Sequence, residues 1–324
     1  MALHSDRARW ALRAIFGTAA LTGAALLSLT ALETRRVQRL VPRDGEFFEV
    51  DGSKLHYVDR GDGPPIVMIH GLGGQLRNFN YLLDELTEHH RVILVDRPGS
   101  GYSSCPRGAG LEGIARQANL LCKLIEHLKL ERPLVVGHSL GGAIALAVGL
   151  NHPQQISGLA LIAPLTQMLT DLPAPFRGLA LEPASLRVAL AWTLVAPLSR
   201  WGPRAVLEQV FSPDPVPPDF EVHAGGGLAR RPSNFQASAW EMRAIPNELP
   251  QMVERYADLT VPVRVLFGEG DTILDPGVHG EVLLEAAPDA QLKVIPGGHM
   301  LPVTWPSETA AWIHGVAQEL TASN

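Results

Sequence analysis

The chain has 324 residues, of which 46% are hydrophobic and 19% are charged. This composition is typical of a globular protein with a large core and excludes a disordered or fibrous chain. The formal net charge of -6 provides no basic surface for phosphate groups, so nucleic acid is not expected as a partner. Two cysteines, Cys105 and Cys122, are too few for a disulfide scaffold or a cysteine-rich zinc site.

An uncharged segment, Ala14 to Leu32, lies near the N-terminus. As a helix its 19 residues would rise roughly 28 Å, close to the thickness of the bilayer hydrocarbon. We therefore predict a membrane-spanning helix and assign residues 1–45 to an anchor with a juxtamembrane segment. A cleaved signal peptide is the alternative, although its apolar region is usually shorter, about 7 to 15 residues.

Arginines stand on both sides of this segment, so the charge rule leaves its orientation open. They are Arg7, Arg9 and Arg13 before it and Arg35, Arg36, Arg39 and Arg43 after it. Small residues four positions apart, Ala19 with Gly23 and Ala20 with Ala24, would let two such helices pack closely. A homodimer through the anchor helix is the resulting hypothesis; a simple abundance of alanine is the alternative.

From Phe47 onward, β-type runs separated by turn residues give way to alternating helices and strands. Strands are predicted at 47–50, 55–61, 65–71, 91–96, 133–139, 156–164, 261–271 and 291–299, and helices at 78–86, 113–128, 143–150, 278–287 and 307–320. Continuous apolar strands separated by helices indicate a mostly parallel sheet covered on both faces. Residues 46–164 and 260–324 are therefore assigned to one α/β core.

Residues 165–259 interrupt this alternation. They contain an apolar helical pattern at 179–198, broken further on by the proline-rich 212–218 and the glycines at 225–227. The segment is predicted to be a helical cap, or lid, inserted between two strands of the sheet.

The motif Gly137-His138-Ser139-Leu140-Gly141 follows an apolar strand and precedes an alanine-rich helix. Glycines are needed there because a nucleophile on a tight strand-to-helix turn brings the backbone close to its neighbours. Ser139 is thus the candidate nucleophile. A serine hydroxyl needs a general base and an acid that orients the base, and both should come from later strand ends.

His299 is the candidate base because it follows a late strand through a Gly-Gly turn and precedes the final helix. Asp271 ends the strand after the cap and is the candidate acid, in the chain order Ser, Asp, His. Glu269 and Asp275 are nearby competitors. Asp96 fits an aspartate that bonds a turn's backbone.

The oxyanion of a tetrahedral intermediate needs two backbone N–H donors. One should come from Leu140, the residue after the nucleophile, and the other from the His70-to-Gly74 loop, where Leu72 is preferred over Gly73. His70 is expected to organise this loop. Serine, imidazole and backbone amides supply all the chemistry, so neither a metal nor an organic cofactor is expected.

The motifs HGLGG, VDRPGSGYS, GHSLGG, GEGD and GGH occur in this order. With them the chain resembles the α/β-hydrolase superfamily, in its esterase, lipase and C–C hydrolase branch, over roughly residues 47–320 apart from the cap. Epoxide hydrolases and haloalkane dehalogenases are similar but carry an aspartate nucleophile, which their alkyl-enzyme ester requires and Ser139 cannot replace. The anchor resembles that of bacterial single-pass esterases and phospholipases A, which implies an inner-membrane protein with a periplasmic catalytic domain.

The resemblance implies hydrolysis of a carboxylic ester, either a small molecule or a lipid whose acyl chain is held by the apolar cap, which contains Trp192 and Trp201. Two alternatives stay open. A C–C bond hydrolase would need carboxylate-binding cap residues, for which the candidates are Arg177, Arg187, Arg230 and Arg231. A non-catalytic ligand-binding protein could also use this fold.

Overall fold

A computed structural model describes residues 2–106, 113–169, 171, 173–196 and 204–322. The strands are β1 (Glu46–Val50), β2 (Ser53–Arg60), β3 (Pro65–Ile69), β4 (Arg91–Val95), β5 (Leu134–His138), β6 (Gly158–Ile162), β7 (Val263–Gly268) and β8 (Ala290–Ile295). They form one eight-stranded sheet in the order β1-β2-β4-β3-β5-β6-β7-β8. β2 pairs antiparallel with both of its neighbours, β1 and β4, and the remaining pairs are parallel, which confirms the predicted α/β fold with a mostly parallel sheet.

The described α-helices are α1 (Ala2–Leu40), α2 (Asn80–Thr87), α3 (Ile114–His127), α4 (Leu140–Asn151), α5 (Ala184–Leu190), α6 (Arg204–Phe211), α7 (Pro232–Val253), α8 (Val282–Ala286), α9 (Leu301–Thr304) and α10 (Pro306–Ala322). Helices cover both faces of the sheet, and every residue of β5 and β6 is buried. Burial on both faces explains why these strands are continuous apolar runs. Because six strands are parallel, the loops that follow them meet at one edge.

The chain between β6 and β7 lies over this edge as a cap, and its helices differ from the prediction. Within the apolar helical pattern at 179–198, helix α5 begins only after Pro183 and continues into a π-helical turn, Ala191–Val195, while residues 197 and 198 lie outside the described part. The longest of the described cap helices, α7, is not expected from the sequence, because Pro246 and Pro250 lie inside it and proline normally ends a helix. The domain boundaries drawn from the sequence stay a prediction.

The N-terminal helix α1 is one continuous element of 39 residues. Its stretch Phe16–Leu40 is long and apolar enough to cross a membrane, with a mean hydropathy of 1.3. The C-terminal end of α1 packs against the cap: Val37 and Val41 are buried with Leu228, and the Glu33 carboxylate lies 3.3 Å from the Arg230 guanidinium. Thus α1 is continuous with the folded body at one end and exposed along most of its apolar length.

Candidate active site

Ser139 stands on a strained turn between β5 and α4. Its backbone adopts φ 55° and ψ -120°, a left-handed conformation that non-glycine residues rarely take. The flanking glycines make this turn sterically feasible, since a Cβ on Gly141 would lie 2.2 Å from the Ile69 carbonyl oxygen. A Cβ on Gly137 would lie 2.4 Å from the Gly141 carbonyl oxygen. The Ser139 side chain is therefore presented at the carboxyl edge of the sheet.

His299 and Asp271 meet at the same edge, in the loops after β8 and β7. The His299 Nδ1 lies 2.8 Å from the Asp271 Oδ2, and both side chains are buried. The other carboxylate oxygen accepts hydrogen bonds from the amides of Ile273 (2.8 Å) and Leu274 (3.0 Å). Burial alone would raise the pKa of Asp271, but the charge and hydrogen bond of His299, with the two amides, hold it below its usual value. An ionised Asp271 fixes the Nδ1–H tautomer and leaves Nε2 to accept a proton.

The competing carboxylates lie elsewhere. Glu269 and Asp275 are exposed, and Asp275 accepts a hydrogen bond from the Val278 amide at 3.1 Å. Asp96 accepts hydrogen bonds from the amides of Leu76 (2.8 Å) and Tyr102 (2.7 Å), so it fixes loop backbone as predicted.

Two backbone amides close to Ser139 are without a protein acceptor among the described residues. Leu140 is the first residue of α4, so its N–H has no acceptor within that helix. Among the described residues, the Leu72 N–H likewise has no protein acceptor. Leu72 and Ser139 line the same cavities, whereas Gly73 has φ 69° and lines only one of them. This arrangement is consistent with the choice, made from the sequence, of Leu72 and Leu140 as oxyanion donors.

His138, inside the serine motif, supports the His299 loop. Its Nε2 donates to the His299 carbonyl oxygen at 2.9 Å, and the two rings lie 4.9 Å apart. Burial first, and then His299, lower the pKa of His138 to about 3, so the ring is neutral. His70 is buried and its Nδ1 lies 2.9 Å from the Gly71 carbonyl oxygen, consistent with a role in organising its loop.

Cap residues that the sequence did not single out hold the catalytic loops. Asp214, from the proline-rich segment, accepts hydrogen bonds from the Gly298 amide (3.0 Å) and the Trp305 indole (3.2 Å). The Asn78 side chain donates to the Ala224 carbonyl oxygen at 3.0 Å. No local motif marks these contacts, because each joins residues far apart in sequence.

Two cavities meet at Ser139, and both are also lined by Leu72 and Phe176. Cavity A, of about 260 Å³, is lined in addition by Leu140, Leu165, Met168, Leu169, Ala180, Met242, Ile245, Pro246, Ile273 and Leu274. Cavity B, of about 180 Å³, is lined in addition by Gly71, Gly73, Gly74, Gln75, Asn78, His138, Val206, Leu207, Val210, Phe211, Phe220, Gly225, Gly226, Ala229, His299 and Met300. Ser139 therefore lies between two largely apolar spaces.

Other predicted cap residues lie away from these cavities. Trp192 is 44% exposed on the π-helical turn and lines neither cavity; Trp201 lies outside the described residues. The described lining of both cavities contains no arginine; this applies to all four proposed carboxylate binders, Arg177, Arg187, Arg230 and Arg231. Within the described part of the chain, no group of three His, Cys, Asp or Glu residues is placed to hold a metal ion.

Several solved structures share this architecture. A membrane phospholipase A superposes with a TM-score of 0.67 at 23% identity, covering 98% of this chain and 99% of that one. The enol-lactonase of Burkholderia xenovorans LB400 gives a TM-score of 0.68 at 22% identity and covers 83% and 98% of the two chains. An esterase from Thermogutta terrifontis gives 0.63 at 23% identity, covering 85% and 97%. At these identities the likeness concerns the fold.

Sequence relatives are more varied. A stretch of 121 residues is 37% identical to the dihydrolipoyllysine-residue acetyltransferase component of the acetoin cleaving system of Cupriavidus necator; it is 37% of this chain and only 32% of that protein. Haloalkane dehalogenase 2 of Mycobacterium tuberculosis is 31% identical over 123 residues, 38% of this chain and 43% of that one. The family model described as alpha/beta hydrolase fold matches residues 64–304. The chain therefore belongs to the α/β hydrolase fold family.

Proposed function

We propose that the protein is a carboxylic-ester hydrolase in which Ser139 attacks the carbonyl carbon, His299 transfers the proton and Asp271 orients His299. The observation that carries this proposal is the 2.8 Å contact between His299 Nδ1 and Asp271 Oδ2, together with the cavity that His299 and Ser139 both line. Attack by the Ser139 oxygen would form a tetrahedral intermediate and then an acyl-enzyme, which water hydrolyses by the same proton route. The amides of Leu72 and Leu140 would stabilise the oxyanion.

Ester chemistry is favoured over C–C bond hydrolysis by the lining of the cavities. The C–C alternative expects a cation for a substrate carboxylate, and no described Lys or Arg lines cavity A or cavity B. A purely ligand-binding role would not require an ionised carboxylate that fixes the tautomer of an imidazole in the same cavity as a serine.

We further propose that α1 anchors the enzyme in a membrane. Support comes from the apolar stretch Phe16–Leu40 and from the burial of Val37 and Val41 against the body, which a cleaved signal peptide would not require. Trp192, in the π-helical turn of the cap that contacts α1, is 44% exposed and would lie close to the lipid. Leu186 and Val188, on the helix α5 that leads into this turn, are each 43% exposed. A lipid ester is therefore the substrate class that we propose. Membrane orientation and dimer formation stay predictions.

The proposed reaction is tested with full-length protein, Ser139→Ala and the control Ser157→Ala, using p-nitrophenyl octanoate and a fluorophosphonate label. Ser157 precedes β6, at the opposite end of the sheet from Ser139. Loss of hydrolysis and labelling only in Ser139→Ala is the expected result. Equal activity of Ser139→Ala and wild type would refute the proposal.

A further inference from the structure

The positions of the two cavities relative to His299 distinguish the two halves of an ester. His299 lines cavity B only, whereas Leu140 lines cavity A only, and Ser139 lines both. The reacting carbonyl carbon must lie beside Ser139 and within reach of the Leu72 and Leu140 amides. The two substituents of that carbon must then extend into different cavities.

Proton transfer decides which substituent occupies which cavity. As the Ser139 oxygen bonds to the carbonyl carbon, its proton passes to His299 Nε2; when the bond from carbon to the alcohol oxygen breaks, the same proton passes to that oxygen. The leaving alcohol must therefore be on the His299 side, in cavity B, and the acyl chain remains on Ser139 in cavity A. A water molecule then attacks the acyl carbon and gives one proton to His299; when the bond from carbon to the Ser139 oxygen breaks, the acid is released and that proton passes to Ser139.

The residues that line the two cavities indicate the chemistry of the acyl half and the alcohol half of the substrate. Apart from Ser139, every described side chain that lines cavity A is apolar. The described cap side chains that line cavity B are also apolar, including Leu207, Val210, Phe211 and Phe220. No Lys, Arg, Asp or Glu among the described residues lines either cavity. Because burying an unpaired charge in such surroundings is costly, charged groups are disfavoured in both cavities.

Resting on the proposed ester hydrolysis, we propose that the preferred substrate is an ester with two uncharged, hydrocarbon-rich halves, the acyl half in cavity A and the alcohol half in cavity B. A short water-soluble alcohol would leave cavity B unfilled and forfeit the binding that its apolar lining offers.

Two variants test the assignment. In each, a half-buried cap residue is replaced by tryptophan, whose indole would fill part of one cavity. Met242→Trp narrows cavity A, and Leu207→Trp narrows cavity B. Full-length enzyme is assayed by acid release with two ester series, one varying the acyl chain from acetyl to lauroyl at constant alcohol, the other varying the alcohol from methyl to octyl at constant acyl group.

Met242→Trp should lower the preference for long over short acyl chains by at least about tenfold, the scale on which apolar pockets discriminate, and leave the alcohol preference within about threefold. Leu207→Trp should do the opposite. Exchanged effects, or selectivities that do not change in either folded variant, would overturn the assignment. The proposed function is checked separately: wild type should hydrolyse the ester and Ser139→Ala should not. If that result holds while the selectivities fail, only the assignment of the cavities is wrong.

A second and independent observation is a buried ion pair between the core and the cap. The Arg97 guanidinium contacts both carboxylate oxygens of Glu241 in α7, at 2.7 and 3.1 Å, and the two side chains are only 2% and 1% exposed. Gln117 donates to the same carboxylate at 3.2 Å. Arg97 also donates to the Gly71 carbonyl oxygen at 2.9 Å.

The Gly71 carbonyl and the Leu72 N–H belong to one planar peptide unit and point in opposite directions. A donor that holds the carbonyl therefore also sets the direction of the N–H. The same carbonyl accepts a hydrogen bond from the Gly74 amide at 3.1 Å, which closes the loop. We propose that Arg97, held by Glu241, is a positioning residue that orients the Leu72 amide toward the oxyanion.

Glu241→Gln and Arg97→Lys test this role, with Glu319→Gln as control. Glu319 also forms an ion pair with an arginine, 2.5 Å from Arg264, but it is half-exposed on the C-terminal helix α10 and does not line either cavity. Both test variants should lose at least about tenfold in kcat while KM changes less than about threefold, because an oxyanion donor acts in the transition state. Affinity for a trifluoromethyl ketone, which binds as a tetrahedral oxyanion, should fall in parallel. An unchanged kcat, or a rise in KM alone, in folded Glu241→Gln would overturn the role.

Discussion

The core loops and the cap contribute to this site in different ways. The core places Ser139, Asp271 and His299 through backbone turns and strand ends, so that each group is fixed by contacts close in sequence or in neighbouring strands. The cap supplies most of the apolar lining and fastens itself to the core by a few polar contacts, such as Asp214 with Gly298. Changes to the core residues of the site should therefore alter the chemical step, and changes to the cap residues that line the cavities should alter which substrate is bound.

The largest expected effect is on the core side. Asp271→Asn keeps the shape but would leave the wrong imidazole tautomer, so kcat should fall by about 10⁴-fold with KM little changed. Steady-state kinetics measure this, with Asp275→Asn, in an exposed turn, as the control. A loss of less than tenfold would mean that Asp271 does not orient the base.

The serine turn gives the next largest effect, this time on stability. Gly141→Ala should reduce the free energy of unfolding by about 3 kcal/mol or more, since its Cβ would meet the Ile69 carbonyl oxygen at 2.2 Å. Gly315→Ala in α10 is the matched control because nothing lies within 4 Å of its Cβ. Helix propensity should stabilise that variant by up to about 1 kcal/mol. Similar denaturation curves for the two variants would contradict the tight turn.

Acid should destabilise the core through His138. The unfolded chain takes up a proton on this residue near pH 6.5, whereas burial lowers the pKa of folded His138 to about 3. The unfolded state therefore binds more protons in this window, and stability falls as the pH decreases from 6.5 toward 3. In His138→Asn the slope of unfolding free energy against pH should be shallower by up to about 1.4 kcal/mol per pH unit. Parallel slopes for the variant and wild type would contradict a neutral buried ring.

The smallest expected effect is that of a cap substitution on substrate binding. Phe176 lines both cavities, so Phe176→Ala should raise KM for a long-chain ester by about tenfold while kcat stays within about threefold. Such a result would mean that the Phe176 side chain binds the substrate and the transition state equally well. A fall in kcat as large as that of Asp271→Asn would remove the distinction between the two regions.

Sequence patterns predicted the core far better than the cap. The eight strands and the residues of the serine, aspartate and histidine turns follow from local apolar runs and glycine positions. The Arg97–Glu241 pair joins positions 144 residues apart, and no local pattern reveals it. Helix α7 was missed because its two prolines are tolerated only through its tertiary packing, with Leu249 and Met252 buried in the core. The shapes of the two cavities depend on how the cap helices pack over the sheet, and no local sequence pattern specifies that packing.

The central claim is a covalent acyl group on Ser139. Full-length enzyme mixed with p-nitrophenyl octanoate, quenched in acid within the first turnovers and analysed by peptide mass spectrometry, should carry an octanoyl group on the peptide that contains Ser139. Release of p-nitrophenol in a burst of about one equivalent should accompany it. Turnover of the ester without any acyl group on Ser139, or with the acyl group on another residue, would contradict the account.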